Sequence, residues 1–179
     1  MKKLLISLLS FFLVFSAFAI DVDLEKSKFK WIGKKVTGKH YGTIGLKSAK
    51  LQDTKGVLSS GIFEIDLSTI SVSDLQGELK QKLEGHLRSK EFFNVGKFPT
   101  AELNISSLKN GKLIGSLKIK GKKNAIKTTY ILKNKTYLGK LKFDRTKFDM
   151  IYKSGDYFKS LGDKMIYNEI EIEFKVVLK

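Results

Sequence analysis

His40 and His86 are the only histidines in the 179-residue chain, and cysteine is absent. Without thiols there is no disulfide, no thiolate metal site, no cysteine nucleophile and no lipid attachment through an N-terminal cysteine. Two imidazoles are too few for a histidine-rich metal site. The stretch from Gly33 to His40 reads G-K-K-V-T-G-K-H and resembles a phosphate-binding loop. His40, however, stands where that loop needs Ser or Thr for magnesium, and no helix follows. Serines are numerous, but no G-x-S-x-G elbow singles one out as a nucleophile. A glycosidase needs two carboxylates facing each other across a cleft, and here most acids fall at outward strand positions. The sequence therefore offers no catalytic set, no metal site and no resident cofactor.

The charge is more informative. Lys plus Arg number 34 against 18 Asp plus Glu, a formal +16, and only Arg88 and Arg145 are arginines. Proteins that read phosphates and bases favour the flat bidentate guanidinium, so this lysine excess counts against specific nucleic-acid recognition. It suits a solvated outer face, or attraction to an anionic membrane surface. His86 has two readings. It lies three residues after Leu83 and seven after Leu79, on the leucine side of an expected helix. It is either a packed histidine near a helix C-terminus or a polar group at the mouth of an apolar pocket. His40 is a turn residue or a second such polar group.

The elements that must position these residues are mostly strands. Ile170, Ile172, Phe174 and Val176 alternate with Glu169, Glu171, Glu173 and Lys175, the pattern of a half-buried antiparallel strand. The same period of two places Phe29 with Trp31, Phe63 with Ile65, Ala101 with Leu103 and Ile105, and Leu117 with Ile119. It also pairs Tyr130 with Leu132 and Leu141 with Phe143. Asn110-Gly111 suits a tight hairpin with positive φ; Gly121 to Asn124 and the stretch around Asn134-Lys135 read as further turns. The glycines from Gly33 to Gly45 suit bends or bulges in a curling sheet. The count is about eight strands in a meander, which a closed barrel would relieve of free edges. One segment breaks the period. Leu75, Leu79, Leu83 and Leu87 predict an amphipathic helix over about 74–87, capped by Ser73 or Asp74. A short helical turn over about 89–94 should follow, with Ser89 as its cap and Phe92-Phe93 inside. An eight-stranded barrel is either filled by its own side chains or holds one small ligand. Periodicity alone leaves that choice open.

The N-terminus reads as an address. Lys2 and Lys3 precede an apolar run from Leu4 to Phe18, and Ala17-Phe18-Ala19 supplies a small-x-small cleavage pattern. The run is shorter than the roughly 20 residues that span a bilayer. We therefore expect residues 1–19 to be a signal peptide cleaved between Ala19 and Ile20. The domain proper would be 20–179, exported to the periplasm or medium.

Four motifs, in order along the chain, carry a resemblance. Phe29-Lys30-Trp31 is followed by Lys35 to Gly42, whose Gly38, His40 and Gly42 form a glycine-histidine-glycine turn. His86-Leu87-Arg88-Ser89-Lys90-Glu91-Phe92-Phe93 precedes Phe98-Pro99-Thr100-Ala101. Gly115 to Gly121 forms a Gly-x-Leu-x-Ile-x-Gly hairpin, and Phe143-Asp144-Arg145-Thr146-Lys147-Phe148 is the last. Together they resemble the YceI-like family over nearly the whole chain after the leader. Glu91 stands where Asp is usual, Asp149 where Gly or Asn is common, and Asn168 where Asp is usual.

The resemblance implies a lipocalin-like, eight-stranded antiparallel barrel with the helix over one end. It implies a bound isoprenoid lipid or isoprenoid quinone in an apolar tunnel, and no catalysis. Phe29, Trp31, Phe63, Leu103, Phe143 and Phe174 would line the tail. Leu75, Leu79, Leu83, Phe92 and Phe93 would close one end, and His40, His86 and Arg145 would stand near the polar head. A homodimer is compatible with the family. Two other classes compete with carriage: an envelope stress or interaction protein using the barrel as a scaffold, and an enzyme acting on a lipid headgroup.

Overall fold

The computed structural model describes residues 19–54 and 57–179. The leader reading falls almost wholly on residues outside that range. The elements in chain order are β1 (Ala19–Ile20), β2 (Val22–Lys35), β3 (Gly38–Thr54), β4 (Val57–Val72), α1 (Gly77–Arg88), β5 (Thr100–Lys109), β6 (Lys112–Ile119), β7 (Lys122–Lys133), β8 (Thr136–Asp144) and β9 (Ile166–Leu178). Each strand from β2 to β9 pairs antiparallel with the next, and β9 returns to pair with β2. The result is a closed, up-and-down barrel of eight strands, which leaves no long free edge. β1 pairs with the far end of β3, Ile20 opposite Leu51.

Alternation decides which face is buried. Phe29, Trp31, Phe63, Ala101, Ile105, Leu117, Leu141 and Val176 are all buried. Their outward neighbours are largely Lys and Glu, matched across strands: Lys140 lies 3.2 Å from Glu171 and 2.7 Å from Glu173, and Lys142 lies 2.8 Å from Glu169. Asn110 and Gly111 both adopt positive φ in the β5–β6 turn, as expected. The β6–β7 turn sits at Lys120-Gly121, slightly earlier than the predicted 121–124, and β7 already begins at Lys122. At the far end of β7 the alternation fails: Leu132 is half exposed and Ile131 is 69% exposed. The inside of the barrel there is taken by Tyr130 and Tyr137, whose rings are 5.3 Å apart.

Close approach requires glycine at several positions, Gly42 and Gly139 among them. A Cβ on Gly42 would come within 1.8 Å of the Ser71 carbonyl and 2.9 Å of the Trp31 indole nitrogen. The indole crosses this gap to donate to the Ser71 carbonyl at 3.1 Å, tying β2 to β4 past the strand between them. A Cβ on Gly139 would lie 2.4 Å from the Phe174 ring, so that ring packs directly over the glycine backbone.

The helix begins later than predicted. Its N-cap is Gln76, with no side-chain cap. The expected cap, Asp74, is used elsewhere: one carboxylate oxygen accepts from Tyr41 N–H at 2.9 Å and the other pairs with His40. The leucine stripe is also corrected. Residues four apart advance by 40° beyond a full turn, so the row from Leu75 to Leu87 winds around the helix. Leu87 is buried and Leu83 half-buried, while Leu79 is 63% exposed and Leu75 precedes the helix. Polar groups complete the docking: Glu84 accepts from Val72 N–H at 2.9 Å and from the Ser71 hydroxyl at 3.1 Å, and Arg88 donates to the Ile70 carbonyl. Residues 89–94 form linked turns around Ser89 rather than a helix, with Asn94 N–H bonding the Ser89 carbonyl at 2.8 Å.

Candidate functional site

The strand connections fall at two ends of the barrel. One end carries the β3–β4 connection and the turns at Asn110-Gly111 and Asn134-Lys135. The other carries the β2–β3 turn, α1 with the turns after it, Lys120-Gly121, and the long connection from Arg145 to Met165. α1 and that long connection form a cap, and the cap shapes the site.

Inside the barrel is a cavity of about 190 Å³. Its wall extends from Leu58, Leu108 and Leu113 near the plain end to Leu83, Leu87, Phe92 and Met150 beneath the cap. Nearly all of it is hydrocarbon and ring. The polar exceptions are few, and no Asp or Glu is among them; Arg145 is one, just past the end of β8. Thr128, Tyr130 and Tyr137 stand toward the plain end, and Lys34, Lys35 and His40 come from the β2–β3 hairpin. Such a volume lies below the roughly 300–1,000 Å³ of pockets for compact ligands. With walls that run most of the barrel's length, it fits a narrow chain better than a globular body.

Nine of the expected tail-lining residues form this wall: Phe29, Trp31, Phe63, Leu83, Phe92, Phe93, Leu103, Phe143 and Phe174. Two do not. Leu79 points to solvent, and Leu75 packs against the outside of the buried cluster without reaching the cavity. Leu79 misses because a four-residue spacing winds around the helix, and Leu75 because it lies before the helix begins.

The three polar candidates separate. His40 lies on the cavity wall, its Nδ1 2.7 Å from Asp74 Oδ2. Burial acts to raise the Asp74 carboxyl, but the Tyr41 N–H and His40 outweigh it and hold the carboxyl below its usual range. An anchored carboxylate fixes the imidazole with Nδ1 toward it, leaving Nε2 to donate or accept. Arg145 also reaches the wall, but it is fully buried and its guanidinium is committed. It donates to the carbonyls of Tyr167 at 3.1 Å, Ile166 at 3.0 Å and Met150. It is therefore a clamp that ties the long connection to the start of β9, not a free head-group contact. His86 is not on the cavity wall. Its ring packs between Phe92 and Tyr152, with centroids 5.0 and 4.5 Å away, and its Nδ1 is 3.3 Å from Glu91. Nε2 is buried without a hydrogen-bond partner. Burial pushes its pKa down, Glu91 pushes it up, and Lys153 pushes it down, for a net lowering. The packed-histidine reading is the one the structure supports.

Sequence reasoning missed Lys34 and Lys35 at the mouth, which look like ordinary members of a basic run. It also missed Tyr137, although that residue shares parity with Leu141 and Phe143. Asp74, one of two residues expected to cap the helix, bonds His40 and Tyr41 instead. No group of three or more His, Asp or Glu side chains able to hold a metal occurs among the described residues. No helix among them is long and apolar enough to cross a membrane.

A family model described as YceI-like domain matches residues 19–178. No curated protein matches in sequence. Solved structures do. BcnA of Burkholderia cenocepacia aligns at 23% identity and TM-score 0.66, over 87% of this chain and 98% of that one. A polyisoprenoid-binding domain from Saccharophagus degradans, implicated in plant cell wall breakdown, aligns at 11% identity and TM-score 0.59, over 87% and 94%. A Campylobacter jejuni YceI protein aligns at 14% identity and TM-score 0.51, over 100% and 99%. At these identities the three share the barrel with this chain.

Proposed function

The chain belongs to the YceI-like family of barrel binding proteins, and we propose that it carries or sequesters an isoprenoid lipid or isoprenoid quinone outside the cytoplasm. The observation that carries this reading is the cavity: narrow, walled by aromatic and branched side chains, with Lys34, Lys35 and His40 as the polar groups of its capped end besides the committed Arg145. An isoprenoid tail gains about 25 cal/mol for each Å² of apolar surface it removes from water. The aromatic walls supply that contact, while the mouth keeps a polar head at the water boundary. Use of the S. degradans domain to bind polyisoprenoid supports the class of ligand. Export is supported by the Lys2-Lys3 start, the apolar run to Phe18 and the Ala17-x-Ala19 pattern.

His40, fixed by Asp74, is the group we assign to orient the head, with Lys34 and Lys35 beside it. The test is extraction of the protein purified from its own host, followed by mass spectrometry of the organic phase. The expected result is one prenyl-chain species near stoichiometric amounts. Recovery of no lipid, or of a polar small molecule in its place, would overturn the reading. Edman sequencing of the same sample should begin at Ile20; a Met1 start would overturn export by cleavage.

A further inference from the structure

The rim of the capped end carries exposed aromatic rings and a net positive charge, six lysines against Asp156 and Asp163, on two segments that touch. The first is the β2–β3 hairpin, with Lys34, Lys35, exposed Val36 and Lys39, where Lys34 pairs with Lys39 in register. The second is the connection from Lys153 to Met165. Lys35 is opposite Ile166 in the sheet, Ile166 N–H bonds the Lys153 carbonyl at 2.9 Å, and Val36 N–H bonds the Met165 carbonyl at 3.2 Å. At the tip of this connection Tyr157 is 56% exposed and Phe158 44% exposed. The tip is built, not loose. Both their N–H groups bond the carbonyl of Ser154, which is fully buried, and Asp156 is held by the Asn168 amide at 2.6 Å.

Charge distinguishes this rim from the β8–β9 face of the barrel. On the β8–β9 face the lysines are answered by Glu169, Glu171 and Glu173. At the rim, Lys34, Lys35, Lys39, Lys153, Lys159 and Lys164 have no carboxylate partner among the described residues; Lys153 instead lies 5.0 Å over the Tyr152 ring. Lysines beside exposed Tyr and Phe are the combination that seats a protein at a bilayer surface. The ammonium groups meet anionic headgroups and the rings enter the interfacial layer. A protein partner would need a complementary acidic, ring-accepting surface; a bilayer containing anionic lipid supplies both properties without further design.

We infer that the capped end docks on anionic lipid bilayers through Tyr157, Phe158 and the lysines around them, presenting the tunnel mouth at Lys34, Lys35 and His40 to the membrane. Its purpose rests on the carrier reading, because a mouth at the bilayer lets a tail pass without crossing water. Its geometry does not.

Vesicle flotation tests it with the full chain, using neutral phosphatidylcholine vesicles and vesicles with one third phosphatidylglycerol at low salt. Binding should require the anionic lipid and weaken with salt. Each rim lysine removed should weaken it roughly five-fold, the equivalent of about 1 kcal/mol per basic residue near an anionic surface. The variants are Lys153→Gln with Lys159→Gln and Lys164→Gln, and separately Tyr157→Ser with Phe158→Ser. The control is Ile131→Ser with Leu138→Ser, an exposed apolar pair at the plain end. The inference predicts large losses for both rim variants and none for the control, with melting temperature and co-purified lipid unchanged in all three. Equal binding to neutral vesicles, equal loss in the control, or absence of anionic-vesicle binding in a wild-type protein that still carries lipid would overturn docking while leaving carriage standing.

Discussion

His86 and Arg145 show how a side chain's neighbours, rather than its type, decide its work. Both were expected beside a ligand head, and both hold the cap together instead. Arg145 serves three backbone carbonyls from a fully buried position. Arg145→Met would leave those acceptors without their donor, at about 1–3 kcal/mol for each one kept dry. We expect a fall in stability of about 3 kcal/mol or more by chemical denaturation, and a change under 1 kcal/mol would refute the clamp. His86 makes a prediction in pH. Its folded pKa lies below the ordinary 6.5, chiefly through burial. The unfolded chain therefore binds this proton more readily, so the contribution of neutral His86 is present above pH 6.5 and is lost as pH falls below it. Stability should decline between pH 7 and 5, and His86→Gln should flatten that decline. A variant with the wild-type slope would show that the buried imidazole is not its source. None of these partners could be read from the sequence, because Met150, Tyr152, Ile166 and Tyr167 reach the two residues only through the irregular connection after β8.

Strands were readable because a period of two is unambiguous once one face is wet; the outward Lys and Glu of β8 and β9 mark that face at nearly every position. The helix was readable in existence but not in orientation. A leucine every four residues fits a helix, yet it drifts around the axis, and the contacts that settle the docking are polar. Glu84 is the strongest of them. The Val72 N–H lowers its carboxyl pKa, against the opposing effect of burial, with the Ser71 hydroxyl, Lys80 and Arg88 adding to the lowering. Glu84→Ala should cost about 1–3 kcal/mol, although its neighbours in sequence look like an ordinary solvated face. The first and last leucines inside the helix should behave oppositely. Leu79→Asp, at 63% exposure, should change stability by no more than about 0.5 kcal/mol. Leu87→Ala, buried beneath the cap, should cost about 2–5 kcal/mol. Thermal or urea melts of the pair check the orientation directly, and similar losses in both would contradict it.

The barrel as a whole poses the question that alternation left open, whether its interior is filled or hollow. Inward positions hold large rings, and still a cavity of about 190 Å³ remains along the axis. A ligand tail would complete the packing, which interiors otherwise achieve with few voids. Ala101 lies on that wall, 5% exposed and between the inward positions of β4 and β6. Ala101→Phe therefore projects a ring into the space assigned to the tail. The most direct test is to purify this variant beside the wild type and measure co-purified lipid and lipid-free melting temperature on the same samples. Carriage predicts that lipid occupancy falls sharply while the lipid-free form melts close to wild type, since the ring enters space already vacant. Unchanged lipid content with a large fall in melting temperature, the behaviour of an overpacked solid core costing roughly 1–3 kcal/mol, would contradict it.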